Sequence, residues 1–586
     1  MKHDRAKVHR LLGALGLTLA LYFLFCISGR LYTFTDNITV GVVTSGMYGD
    51  NNMCQYLHPL LCLIVKWLNP ILPTADVYAT LTHLALLAGI FLIAYAAIEA
   101  AFRKPAKKWT IEEIISLALM LLAIVYFTLG LKLFGVNYTV QTSAIIAEGV
   151  VVLAVAIQGE KGRAWIIAGT GMIFAGFLGR TEACLLFLPF LALGLLTEIV
   201  RTKTAWIRKN GLYILPPIMV MIVLLGSKAV FLNIEPYRSD AAYNHYRTIA
   251  EDYPMETFGV SYKDFSGVDH STYNMVTHWI LADTDLINAN TLKNIAEVGS
   301  RNDYQYTSQG LKRALQEMMR QSTRVDVHLM TLVALTLLFT LWNAVAVKST
   351  WLKLESVLCT LGAFIILFYF TFRGRAPIRV WQCVGISALT THVLIMVKDA
   401  RDRRNAVENC GIYTAPQISG AKVRTRTGTA IFQLLLCVVL YFGLGQVLAH
   451  STIHAPALPL TSRSGVDDSG YAATFEEDAL YLWPSWYSTV MPYYSEQDKL
   501  PTQRFIEHNI ALGDWIYGQV YFRDFLNHID AGNPAIALLE RPNTYVVEGL
   551  NEVLMQHMHA HYGEDIRMEY VRNVNGYKAY RLTKGD

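Results

Sequence analysis

The chain has 586 residues, of which 53% are apolar and only 16% charged, and its mean hydropathy is positive. A soluble protein carries about a quarter charged residues, so this composition excludes a disordered chain, a nucleic-acid-binding tail protein and a simple soluble enzyme. A formal net charge of +4 is too small to imply nucleic acid as a partner.

Lys2, Arg5, Lys7 and Arg10 precede an apolar run from Leu11 to about Ser28. With no small-residue cleavage site before Arg30, this reads as a signal-anchor helix. Further apolar runs near 78–101, 112–133, 142–158, 164–180, 183–199, 211–232, 327–347, 354–372, 380–397 and 430–448 bring the expected spans to about eleven. The expected fold is an all-α polytopic membrane protein. The short runs 164–180 and 183–199, with Arg180 and Glu182 between them, also fit a re-entrant hairpin.

Basic clusters set the orientation. Arg103 to Lys108, Lys161 and Arg163, Arg201 to Lys209, Lys348 and Lys353, and Lys398 to Arg404 all fall on one side if the first helix enters from its basic end. The amino terminus is then expected to be cytoplasmic and the carboxyl terminus extracytoplasmic, in a plasma membrane, with bacterial origin favoured. Five of the eight cysteines (Cys26, Cys184, Cys359, Cys383 and Cys437) lie in apolar runs, and no spacing suggests a metal site or a disulfide framework.

Three segments are left outside. The loop 29–77 contains Leu57–Leu72, apolar but broken by Pro59, Lys66, Asn69 and Pro70, which suits a helix lying on the membrane surface. The loop 233–326 is polar and tyrosine-rich, with helical pieces expected at 271–282 and 306–321. The tail 450–586 is long enough for a small α/β domain beside a membrane domain at 1–449. Strands are expected at Ala479–Trp483, Ala535–Leu539 and Tyr545–Val547 and a helix at Leu550–His561. A hairpin of Ile566–Val571 with Tyr577–Leu582 should turn at Asn575-Gly576.

Asp36 follows the first span. A carboxylate at a membrane border is partly desolvated, which suits it to proton abstraction; a solvated loop residue or a helix cap is the alternative. Arg373, Arg375 and Arg379 crowd an expected external turn, against the charge bias elsewhere. Guanidinium forks match phosphate oxygens, and the alternatives are a miscounted helix or pairing with external acids. Arg180 and Glu182 at a membrane border read either as functional or as a mutual ion pair. His58 reads as a packed or capping residue or as a substrate contact. Tyr246, Arg247 and Asp252, with Trp279, Asp283 and Asp285, are candidates to line a cleft. Trp483, Trp486, Tyr487 and Trp515 in the tail suit a domain core or sugar stacking. Asn37-Ile-Thr39 and Asn137-Tyr-Thr139 are sequons that matter only in a glycosylating cell.

Thr35-Asp36-Asn37 followed by His58-Pro59-Leu60-Leu61 in a surface helix resembles the opening unit of the GT-C superfamily of membrane glycosyltransferases, such as protein O-mannosyltransferases and bacterial lipid A aminoarabinose transferases. The stretches Thr44–Gly49, Gly179-Arg-Thr-Glu182, Tyr243–Arg247 with Asp252-Tyr-Pro254, and Gly374-Arg-Ala-Pro377 are similar to bacterial multi-pass proteins of this size described as glycosyltransferase-like. The resemblance implies a GT-C fold, a polyprenyl-phosphate sugar donor and Asp36 as catalytic base. The acceptor would be a lipid, a wall polymer or a protein. Arg373, Arg375, Arg379 and Arg180 would bind the donor phosphate, and His58, Glu182, Tyr246, Arg247 and Asp252 would be substrate contacts. No cofactor is implied; Asn37 stands where many relatives carry a second acid, so a metal is not indicated. A flippase of polyprenyl-linked glycans and a non-catalytic envelope-assembly scaffold are the alternatives.

Overall fold

A computed structural model describes residues 2–28, 35–101, 137–158, 162–203, 205–253, 255, 260–300, 306–324, 327–409, 431–441, 469–475, 478–484 and 500–585. Among them, eight helices are long and apolar enough to cross a membrane, within Lys7–Ile27, Val77–Glu99, Tyr138–Ile157, Thr181–Thr202, Ala205–Phe231, Leu329–Ala346, Thr350–Phe372 and Ile378–Arg403. Arg163–Gly179 is a shorter apolar helix of 17 residues, and Ile431–Tyr441 is another. The run at 112–133 lies outside the described residues. The chain is thus a polytopic helical membrane protein.

The helices Tyr138–Gln158 and Ile378–Asn409 sit at the centre of the bundle, enclosed on most faces, whereas Ala205–Phe231 exposes Leu212, Ile222, Val223 and Val230. Glycines permit the closest crossing. A Cβ on Gly149 would stand 2.9 Å from the Gly169 carbonyl, and one on Gly169 would stand 2.9 Å from that of Gly149. Small residues let two backbones meet where lipid supplies no hydrophobic drive.

The two ends of the bundle differ. At one end Arg201 pairs with Glu198 and Asp402, and Lys398 Nζ lies 2.9 Å from Glu355 Oε1. Two of the basic clusters expected to share a membrane face, those of Arg201 and Lys398, therefore meet. A cavity of about 480 Å³ opens here, lined by Leu153, Leu191, Leu195, Met221 and Leu394 and by these ion-paired residues. Arg379 begins the same helix that carries Lys398, so the other end is roughly 29 Å away at 1.5 Å per residue.

Pro59–Leu68 is helical, with His58 as its N-cap accepting from Leu60 N and proline at its first position. The helices expected in 233–326 form at His270–Thr277 and Ser308–Arg324, joined by Tyr237–Asp252 and Ala289–Ser300, which the sequence reading did not single out. In the tail, a five-stranded sheet runs β2(Asn509–Ala511)–β1(Leu480–Trp483)–β3(Thr544–Val547)–β5(Tyr577–Lys584)–β4(Ile566–Val574). β1 pairs in parallel with β2 and β3, and β3–β5 and β5–β4 are antiparallel. The hairpin turns at Asn575-Gly576, both with positive φ, as its signal requires. Ala535–Leu539 is not a strand: Pro534–Glu540 is a helix, with Asn533 capping Ala535 N and Ile536 N and Pro534 at its first position. A five-residue apolar run has no period to separate strand from helix, and here the cap decides. Trp483 is fully buried in the core of this unit.

The α/β unit grips both loops. Tyr48 packs between Tyr521, Phe522 and Phe525, the last two with ring centroids 5.0 Å away. Asp240 accepts from Val520 N at 3.0 Å and pairs with Arg523 at 3.1 Å. Asp283, fully buried, accepts from His557 Nε2 and Tyr562 OH, each at 2.8 Å, and from Asn533 Nδ2 at 3.0 Å. Burial alone would raise its pKa, but the hydrogen bonds from His557, Tyr562 and Asn533 outweigh it and hold the carboxyl at about 2. That lies below the unfolded value, so the contribution is complete above about pH 4 and is lost as pH falls toward the folded value. Asp283→Ala strands a buried histidine and is expected to cost about 3 kcal/mol. Limited proteolysis at neutral pH should release the α/β unit from the variant well before it does so from wild type; equal rates would contradict the clamp.

Candidate functional site

At the Arg379 end, the Thr35–Thr44 helix opens with Asp36 in its first turn, where the helix dipole favours a carboxylate. Asp36 Oδ2 accepts from Arg379 Nη1 at 3.0 Å and from Asn137 Nδ2 at 3.2 Å. In return, Asn37 Oδ1 accepts from Tyr138 N at 2.8 Å. Two asparagines thus tie the starts of two helices together. Both are buried, which withdraws the two sequons from any glycosylating enzyme and gives Asn37 a structural task.

The arginine turn lies between Thr350–Phe372 and Ile378–Asn409. Arg379 meets Asp36, and its guanidinium has no other partner among the described residues. Arg375 Nη2 lies 2.5 Å from Asp252 Oδ2, at the end of Tyr237–Asp252, which bears out pairing with an acid of the second loop. Burial raises the pKa of Asp252, against the pull of Arg375 and Arg247. Arg373 makes no ion pair among the described residues; its backbone caps the preceding helix.

Arg180 joins two helices and turns its guanidinium onto aromatic rings. It hydrogen-bonds Tyr138 OH and stands 4.8 Å from the Tyr138 ring centroid and 5.1 Å from that of Tyr56. Its Nε is 3.6 Å from Glu182 Oε2, and Glu182 Oε1 is 3.3 Å from Lys228 Nζ. Tyr56 also receives Arg247 Nη2 at 3.2 Å and donates to Asn244 Oδ1 at 3.0 Å. Arg247 is buried, paired with Glu251, and lies 5.8 Å from the Trp279 ring centroid. Tyr56 therefore bridges Arg180 to Arg247.

The α/β unit closes this end. Trp515 meets Tyr56 edge-on at 4.7 Å, and Thr39 Oγ1 donates to Asp514 Oδ2 at 3.2 Å. Arg180 Nε, Glu251 Oε1 and Trp515 Nε1 are buried without a hydrogen-bond partner among the described residues.

Asp36, Arg379, Arg375, Asp252, Arg247, Arg180 and Glu182 thus share one membrane end. Two candidates turn elsewhere. His58 packs its Nε2 against Leu224 O at 3.2 Å and Ser227 Oγ at 3.1 Å, and burial lowers its pKa. It is the capping residue of its helix. Tyr246 is half-buried beside His245 on another face of its helix from Arg247. Asp514, Tyr56, Tyr138 and Lys228 were not singled out from sequence. Trp486 and Tyr487 lie outside the described residues. The cavity at the Lys398 end, where Lys398 pairs with Glu355, lies at the opposite end of the bundle from these residues.

No group of three or more metal-ligating side chains occurs among the described residues. No protein-family model matches the chain, and no curated protein does. Among solved structures, the crystal structure of ArnT from Cupriavidus metallidurans bound to undecaprenyl phosphate aligns over 97% of each chain, at 10% identity and a TM-score of 0.35.

Proposed function

We propose that this chain is a GT-C-type glycosyltransferase that moves a sugar from a polyprenyl-phosphate donor to an envelope acceptor at the extracytoplasmic membrane face. The observation that carries the reading is Arg379 held 3.0 Å from Asp36, with the rest of its guanidinium unpaired among the described residues. Carboxylate and cation, far apart in sequence, meet at one membrane border beside Arg375, Arg247 and Arg180.

A phosphate is a ready leaving group, so the reaction needs a base for the acceptor hydroxyl and positive charge for the departing phosphate. Asp36 takes the hydroxyl proton as the acceptor oxygen bonds to the anomeric carbon. The carbon–oxygen bond to phosphate breaks, and the phosphate leaves with the electron pair. Arg379 and Arg375, with Arg180 behind them, stabilise its charge; Arg373 extends the cationic rim. Attack from the face opposite the phosphate inverts the anomeric carbon, through an oxocarbenium-like transition state. Glu182, Arg247 and Asp252 hold the arginines and the tyrosines in place.

The test is sugar transfer in membranes that carry the protein and a radiolabelled polyprenyl-phosphate sugar. Label should pass to an acceptor and leave free polyprenyl phosphate behind. Movement of the intact lipid-linked sugar between leaflets, without cleavage, would favour a flippase instead.

A further inference from the structure

We infer that Asp514, delivered by the α/β unit, is a second acid–base group of this site and takes up a proton when an anionic lipid headgroup settles beside Asp36. The inference rests on the donor reading above and adds to it a partner for Asp36 from a distant part of the chain.

The placement of Asp514 is tightly built. Leu281 N donates to Leu512 O at 2.8 Å, so the segment is stitched to the second loop. Gly513 lies against Trp279, whose φ of +60° is unusual for a bulky residue. A Cβ on Gly513 would stand 1.5 Å from the Trp279 carbonyl oxygen, so no other residue fits there. Asp514 Oδ1 accepts from Trp515 N at 2.6 Å, and Oδ2 takes the Thr39 hydroxyl. Thr39 is one helical turn beyond Asp36, on the same short helix.

The charged and titratable groups facing Asp514 are Asp36 from that helix, Arg247 and Glu251 from Tyr237–Asp252, Tyr48 from the first loop, and Tyr517 and Tyr521 from its own unit. Asp36 has Arg379 as counterion, whereas Asp514 makes no ion pair among the described residues. Burial first, and then the charge of Asp36, push its carboxyl up to about 7. Two neighbouring carboxylates with unlike surroundings divide acid and base roles between them. An arriving phosphate adds negative charge and draws a proton from solvent onto Asp514; ionised Asp514 repels the phosphate.

Anion affinity should be highest with Asp514 neutral and fall as pH rises through about 7. Undecaprenyl phosphate methyl ester, a phosphodiester that does not titrate near neutrality, is the probe, with the full chain in nanodiscs. Between about pH 6 and 8 its Kd for wild type should rise roughly five- to tenfold, approaching the limit of one linked proton per pH unit near the upper end. Asp514→Asn keeps the cap on Trp515 N and should show a clearly weaker dependence. Glu251, also pushed up to about 7 by burial, stays in both proteins, so their difference belongs to Asp514. As a second measurement, calorimetry at pH 7 in two buffers of unlike ionisation enthalpy should show proton uptake on binding by wild type that exceeds that of Asp514→Asn. Binding with the same pH dependence in both proteins, or with no greater proton uptake by wild type, overturns the proposal and leaves the donor reading standing. No binding by either protein at any pH overturns the donor reading and the proposal with it.

Discussion

Asp36→Asn is expected to reduce sugar transfer by about a thousandfold, within the range that a positioned general base contributes, while the protein still inserts and still binds polyprenyl phosphate. The substitution preserves shape and the hydrogen bond from Asn137 and removes only the charge and the basic oxygen. Asp36 lies in the first turn of its helix, and its neighbour Asn37 carries the tie to Tyr138, so the helix start should survive the change. The measurement is the rate of label transfer in purified membranes at matched protein levels. Near-normal transfer would remove Asp36 from the base role and return it to the helix-capping one.

Arg379→Ala carries the second large effect. Losing one positioned charge contact at a developing anion costs on the order of 3 kcal/mol, about a hundredfold in rate. Arg379 also neutralises Asp36, so the loss acts on both partners. Arg379→Lys should restore little, because an ammonium cannot present a fork to carboxylate and phosphate together. The double variant Asp36→Asn with Arg379→Ala should be far less impaired than the product of the single effects, since residues in contact do not act independently. Full additivity would mean that the two groups serve separate steps. Donor kinetics unchanged by Arg379→Ala would dismiss the phosphate role.

The membrane bundle was legible because length and apolarity alone specify a span, and the meeting of Arg201, Lys398 and Asp402 at one end agrees with the grouping of the basic loops. Pairing of the arginine turn with external acids was among the sequence alternatives, but which acid each arginine meets was not legible: 343 positions separate Arg379 from Asp36, and no periodicity records the crossing of their helices. Tyr56 and Tyr138 were hidden for a simpler reason. Tyrosine is ordinary at membrane borders, and only coordinates reveal a guanidinium lodged between two rings. Asp514 had no local signal at all: its character comes from burial against Asp36 and Thr39, on an element 475 residues away. The misread strand at Ala535–Leu539 had a signal that went unused, since Asn533-Pro534 is a helix-start pair.

The most direct test is a cryo-electron microscopy structure of the chain with undecaprenyl phosphate bound. The phosphate is expected within hydrogen-bond reach of the Arg379 guanidinium, with Asp36 facing the position that the anomeric carbon of the donor would occupy. A headgroup seated instead among Arg201, Lys398 and Arg401, roughly 30 Å along the bundle, would contradict it.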